Sequence, residues 1–244
     1  MTKPIHLKFK VTPQPTETTC GPAVLHSIYR YWDLEISLPR VLREVEQMDG
    51  GGTYSVYLAH DAIKRGLRAR IYTCDLQLFD PSWFASRTID LRTKLWQQIK
   101  AGHLTKRLNV HARAYLDFLD AGGEILMREP ATLLISRFLR QRIPVIAGLC
   151  STWLYRSTRE RWHNEQSIPD DITGTPTGHF VVVHGIDPTR RRFDIADPLL
   201  QKPFPGRHNY DVPIRRFFNA LMLGIMTNDA KLLVIEPRSE DGDA

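Results

Sequence analysis

The chain has 244 residues, 42% of them apolar and 25% charged, and 33 Lys and Arg against 27 Asp and Glu give it a net charge of +6. That is the balance of an ordinary soluble globular protein with a sizeable core. No apolar run approaches the about 18 residues of a membrane span, the longest, FVVVHGI, being of strand length, and the start MTKPIHLKFK has no apolar signal core, so the expectation is a cytoplasmic protein. Three cysteines, Cys20, Cys74 and Cys150, are an odd number without a CxxC pair, which argues against a disulfide framework or a zinc site. Between Asp75 and Arg161 stand 14 Lys and Arg against 8 Asp and Glu. Solvated helix faces are the plain reading of that excess, and a surface for an acidic partner is the functional one. Basic and aromatic residues do not interleave, so no nucleic-acid partner is expected.

The first predicted element is IHLKFKV, where Ile5, Leu7, Phe9 and Val11 alternate with polar residues as in a half-buried strand. Pro13 and Pro15 stop it. A helix follows from about Cys20 to Trp32, with Thr18 or Thr19 as N-cap and Pro22 in the first turn, where its missing N–H does no harm. Val24, Leu25, Ile28 and Trp32 recur at helical spacing. Shorter helices are predicted at about 39–47, closed by DGGG, and from about Tyr54 to Arg65, ending at Gly66 and feeding the strand LRARIYTC. Two basic helices are expected near 89–100 and 109–120, then the helix ATLLISRFLRQR and the strand IPVIAGLC. Ser151 to Gly178 lacks periodicity and reads as a long loop or flap. HFVVVHGID, RFDIADP and KLLVIE are strands, the first two forming a hairpin, and the tail 237–244 is expected to be disordered. Helices first and strands afterwards is the α+β pattern: one domain over 1–236 with a helical insertion at about 75–130, its N-terminal helical part packed on a C-terminal antiparallel sheet.

The chemistry is concentrated in four residues. Cys20 lies at a helix N-terminus, where unpaired N–H groups and the macrodipole favour a thiolate. Acyl transfer also needs a base, a group to orient that base, and donors for the oxyanion. His179 opens an apolar strand after Gly178, and Asp197 ends the partner strand of the hairpin, near enough to hold one imidazole tautomer. Gln14, six residues before Cys20, can turn its amide to the helix start and join the Cys20 N–H as an oxyanion donor. Taken singly, a Cys at a helix start is more often structural, a His at a strand start is a rim residue, and Asp-Pro is a common turn. Their order along the chain, each on the right kind of element, favours a Cys-His-Asp triad with an oxyanion Gln. His184, five residues after His179, is expected on the opposite face; His26 is expected to be buried, Cys74 and Cys150 to be core thiols, and DGGGTY, from Asp49, to be a cleft wall or a plain loop. His103, His111, His163 and His208 are scattered and suggest no metal site.

Gln14, Cys20–Gly21–Pro22–Ala23, Gly178–His179 and Asp197–Pro198 together resemble the papain-like cysteine peptidases, and most closely cysteine peptidase family thirty-nine, whose bacteriocin-processing members cut after double-glycine leaders. The likeness extends over roughly residues 11–74 and 130–200. It implies a papain-like fold, hydrolysis of a peptide bond in a peptide or protein substrate, and no cofactor or metal. The helical material at about 75–130 and the lack of a following transporter domain depart from the family pattern, so the double-glycine substrate does not carry over. Two alternatives remain beside the peptidase: acyl transfer from the same thioester to an amine, as in phytochelatin-synthase-like relatives, and a peptide-binding module without catalysis.

Overall fold

The structure, a computed structural model, describes residues 3–48, 51–86, 88–163, 166–199, 207–227 and 229–238. Its N-terminal third is built from three helices, α1 (Cys20–Tyr31), α2 (Leu38–Glu44) and α3 (Ser55–Lys64), followed by strand β2 (Leu67–Thr73). The N-terminal apolar alternation is kept in exposure, with Leu7 and Phe9 inside and Lys8 and Lys10 outside, but only Ile5–His6 pairs as a strand, β1. Helices α4 (Leu91–Ala101) and α5 (Lys106–Asp120) are the two predicted basic helices. Asp90 and Thr105 cap them by accepting the N–H groups of Arg92 and Leu108.

The 75–130 segment is not helical throughout. Glu124–Met127 forms β3, which pairs parallel to β2 and makes the sheet mixed rather than wholly antiparallel. The segment packs into the same core as the first helices: Leu95, Ile99, Tyr115 and Phe118 share a buried cluster with Val24, Leu25 and Ile28. Its tie to α3 is polar as well, since His111 stacks on Tyr54 with ring centroids 4.1 Å apart and Arg107 Nε donates to the Tyr54 hydroxyl at 3.2 Å.

After α6 (Thr132–Arg140) the chain enters β4 (Val145–Cys150), the short helix α7 (Ser151–Tyr155) and a two-stranded hairpin, β5 (Glu160–His163) with β6 (Gln166–Pro169). The expected loop at 151–178 therefore has structure of its own; it escapes the alternation rule because its strands are almost entirely exposed. Strands β7 (Gly178–Asp187), β8 (Arg192–Ala196), β9 (Asn209–Pro213) and β10 (Lys231–Pro237) follow, with helix α8 (Ile214–Leu223) between the last two. The sheet runs β3-β2-β10-β4-β7-β8-β9, with β1 on β7. One face is covered by α1, α3 and α5; the other is covered by α6 and α8 through Phe138, Leu139, Phe217 and Leu221. This is the expected α+β architecture, N-terminal helices on a C-terminal sheet, with a second helical layer behind. No helix among the described residues is long and apolar enough to cross a membrane. Of the tail expected at 237–244, Pro237 ends β10 and residues 239–244 lie outside the described ones.

Candidate active site

Cys20, at the start of α1, and His179, at the start of β7, share the wall of one cavity of about 250 Å³. Cys20 is the first residue of α1, half-buried, and Thr19 precedes it as N-cap. The first intrahelical bond here runs from the Ala23 N–H to the Thr19 carbonyl at 3.1 Å, and the N–H groups ahead of it have no acceptor in the helix. The turn before Cys20 is tightened by Thr19, whose hydroxyl donates to the Thr16 carbonyl and accepts the Thr16 N–H. Gly21 is required by close approach: a Cβ there would stand 2.3 Å from Thr53 Cγ2. Gly51, Gly52 and Thr53 thus reach the helix start and line the cavity as a wall, whereas Tyr54 is buried against His111; Asp49 and Gly50 lie outside the described residues.

His179 is 6% exposed and Asp197 is fully buried. His179 Nε2 donates to Asp197 Oδ1 at 2.8 Å, which leaves Nδ1 as the nitrogen available to the thiol. The carboxylate is held on every side. Oδ1 also accepts the Leu199 N–H at 2.9 Å, Oδ2 accepts the hydroxyls of Tyr155 at 2.7 Å and Tyr210 at 2.6 Å, and the Asp197 backbone exchanges bonds with His208. Burial by itself would raise the Asp197 pKa; the His179 charge, with the bonds from His179, Tyr210 and Tyr155, outweighs it and holds the carboxyl below its usual range. Burial would likewise lower His179, yet the charges and polar contacts of Asp197 and Cys20 push it up to about 10. A protonated imidazole beside a sulfur is the partner that nucleophilic cysteine chemistry calls for.

Gln14 lines a second lobe of about 420 Å³ together with His179 and Gly178, and its backbone N–H donates to the Pro198 carbonyl at 3.0 Å. That bond ties the loop before the nucleophile helix to the turn after Asp197. Its side-chain Nε2 donates one proton to the Thr16 carbonyl at 2.8 Å, leaving the second N–H of the amide. Glu17, Trp162, Thr177, Gly178 and His179 line both lobes, so the two form one groove that passes over the imidazole. The β5–β6 hairpin roofs it, fastened by the Ser167 N–H to Glu17 Oε2 at 2.7 Å.

The remaining candidates lie elsewhere. His184 is buried farther along β7, its Nδ1 donating to the Leu7 carbonyl at 3.2 Å. His26 is buried against the Thr12 hydroxyl. Cys150 is buried, but Cys74 is only half-buried, so it is not the core thiol expected. Sequence reasoning missed Tyr155, Tyr210 and Asp229. The two tyrosines serve Asp197 from segments read as loop or left without an element, and Asp229 precedes the last strand with no local motif to announce it.

The sequence profile described as Peptidase_C39 like family matches residues 6–221. Among solved structures, a C39-like peptidase from Bacillus anthracis aligns over 98% of this chain and 100% of its own, at 15% identity and a TM-score of 0.48. A double glycine motif protease from an AMS/PCAT transporter, solved with its leader peptide, aligns over 98% and 100% at 14% identity and a TM-score of 0.46. The peptidase domain of Streptococcus ComA, a bifunctional ABC transporter, aligns over 94% and 99% at 15% identity and a TM-score of 0.43. At such identities the likeness concerns the fold alone. No curated protein matches the sequence significantly.

Proposed function

The chain belongs to the Peptidase_C39 like family, and on that premise we propose that it is a cysteine peptidase using Cys20, His179 and Asp197 with Gln14 as an oxyanion donor. The observation that carries this reading is the buried His179–Asp197 pair, whose imidazole is held at about 10 beside Cys20 at the start of α1. The Cys20 thiolate attacks the amide carbonyl, forming the C–S bond and placing the negative charge on the carbonyl oxygen. The Cys20 N–H and the free N–H of Gln14 receive that charge. His179 gives its Nδ1 proton to the leaving amine as the C–N bond breaks, and a thioester remains. Neutral His179 then takes a proton from water, which attacks the thioester and releases the acid and the thiolate. Asp197, fixed by two tyrosine hydroxyls and a backbone N–H, keeps the imidazole pointed at the sulfur through both steps.

Mass spectrometry of the protein incubated with a peptide mixture tests this. An acyl adduct on Cys20, with cleavage products that vanish in Cys20→Ala, is the expected result. Neither adduct nor Cys20-dependent cleavage would leave a peptide-binding module, and a product joined to an added amine would mark acyl transfer.

A further inference from the structure

The groove over His179 has the opposite charge to the rest of the molecule. The chain carries a net +6, yet the described residues lining the two lobes include no Lys or Arg and three carboxyls: Glu17 in both, Glu160 in the larger and Asp229 in the smaller. Glu17 and Glu160 belong to the rim and roof, where they accept bonds from Ser167 and Thr177. Asp229 is different. It is 6% exposed and lies in a slot between two strands that only glycines leave open. A Cβ on Gly178 would sit 2.1 Å from Asp229 Oδ2, and one on Gly148 would sit 3.2 Å from Asp229 Cβ. Thr227 Oγ1 donates to Oδ2 at 2.8 Å.

A carboxyl placed this deep is costly unless something in the site uses it. Burial pushes Asp229 up to about 7, against the Thr227 hydrogen bond and the charges of Lys231, His179 and Arg107. Lys231 stands behind it; its ammonium pairs with Asp75 Oδ2 at 3.2 Å and also attracts Asp229, yet burial still pushes that carboxyl up to about 7. What faces Asp229 from the open side is the lobe containing Cys20. A cation entering that lobe would hold the carboxyl ionised, pass the Glu17 carboxylate at the rim, and meet the half-exposed indole of Trp162, whose face attracts positive charge.

Resting on the peptidase reading above, we propose that Asp229 is a specificity-determining residue, and that the enzyme selects peptides that place a Lys or Arg side chain in the smaller lobe beside Cys20. The pairing is desolvated and sits next to the reacting bond, so it acts on the choice of substrate more than on the chemical step.

The test uses peptidyl vinyl sulfones carrying Lys, Arg, citrulline, norleucine or Glu at each position in turn, with labelling of Cys20 read by mass spectrometry. At one position the Lys and Arg probes should label about tenfold faster than the citrulline and Glu probes. Asp229→Asn should bring the Lys-to-citrulline ratio within about twofold of unity. A ratio near unity in the wild type, or one that survives Asp229→Asn, overturns the inference. Should that variant fail to fold, Glu17→Gln, at an exposed rim position, should lower the ratio about threefold, and an unchanged ratio there overturns it equally. If no probe labels Cys20, the peptidase reading fails. Calorimetric titration of Cys20→Ala with pentapeptides differing only by Lys or Gln then decides the cleft's preference alone: tighter binding of the Lys peptide supports it, and equal binding rejects it.

Discussion

Strand β7 carries two buried histidines, and their environments shift their pKa values in opposite directions. His179 looks into the groove and is pushed up to about 10. His184, five residues on, lines a hollow beside α1 with Phe9, Ser27 and Tyr31, where burial lowers its pKa with help from the nearby His6, and the Leu7 carbonyl and Asp194 only partly oppose the shift. Its neighbours are rings, His6 at 4.9 Å and Phe9 at 6.2 Å between centroids. Burial therefore disfavours the charged form of a histidine that has no carboxylate fixed against its ring. What makes the other one an acid is a carboxylate that cannot turn away, Asp197, gripped by Tyr155, Tyr210 and the Leu199 N–H.

The sharpest way to break the comparison is to remove each ring. His179→Ala should lower kcat/KM by roughly 10⁴ or more, as loss of a triad member does. His184→Ala should change kcat/KM by no more than about threefold while costing about 1–3 kcal/mol of stability. Steady-state kinetics and chemical denaturation of both variants check this, and equal losses of activity would erase the distinction.

Gln14→Ala tests whether the active face depends on more than its imidazolium. Losing one preorganised donor should slow acylation by about 10²–10³, with stability nearly unchanged and the alkaline limb of the pH–rate profile still near the wild-type position. A loss under about threefold would leave the oxyanion to the Cys20 N–H and another donor, and Gln14 would be a loop residue that bonds Thr16.

Asp197→Asn then makes His179 more like His184. The imidazolium keeps both N–H groups, and an amide oxygen can still accept one, so the fall in kcat/KM should be about 10²-fold, milder than the ~10⁴ seen where a tautomer is lost. The informative quantity is the limb. The wild type should lose activity as pH rises through about 10, where His179 gives up its proton; in Asp197→Asn that loss should begin at lower pH. A limb that does not move would mean Asp197 only positions the ring and contributes nothing to its charge.

Much of this face was legible in the sequence, because each element that holds Cys20, His179 and Asp197 is local: a capped helix with Pro22 in its first turn, and a hairpin whose β-branched residues alternate or run unbroken. What was not legible depends on distant partners. Strand β3 is four residues with one buried side chain, Ile125, and becomes a strand only because β2 offers it an edge. The β5–β6 hairpin is exposed on both faces and leaves no apolar signature. Tyr210 sits on β9, to which no pattern points, and it matters only because β9 lies against β8 and delivers the hydroxyl to Asp197. Residues that support a charged group from another part of the chain are dictated by the fold, and their own neighbours in sequence say nothing of the task.

The smallest expected effect is on stability, and it distinguishes the two histidines by pH. A His whose folded pKa is raised binds more protons folded than unfolded across the interval between the two values. His179 therefore contributes stability that is fully present below its ordinary 6.5 and is lost as pH rises through about 10. His184 is lowered below 6.5, so its contribution is present above 6.5 and is lost as pH falls through its folded value. Melting curves of wild type, His179→Ala and His184→Ala from pH 5 to pH 10 should show two opposed trends. The gap between wild type and His179→Ala should be widest near pH 6 and shrink toward pH 10. The gap to His184→Ala should be widest above pH 7 and shrink toward pH 5. Removing His179 also shifts Asp197 and Asp229, whose carboxyls its charge lowers, so the His179→Ala gap reports the ring together with those two partners. Two gaps that run in parallel with pH would mean that β7 presents both rings to equivalent surroundings, and the ion pair at the centre of the proposed site would have no thermodynamic signature.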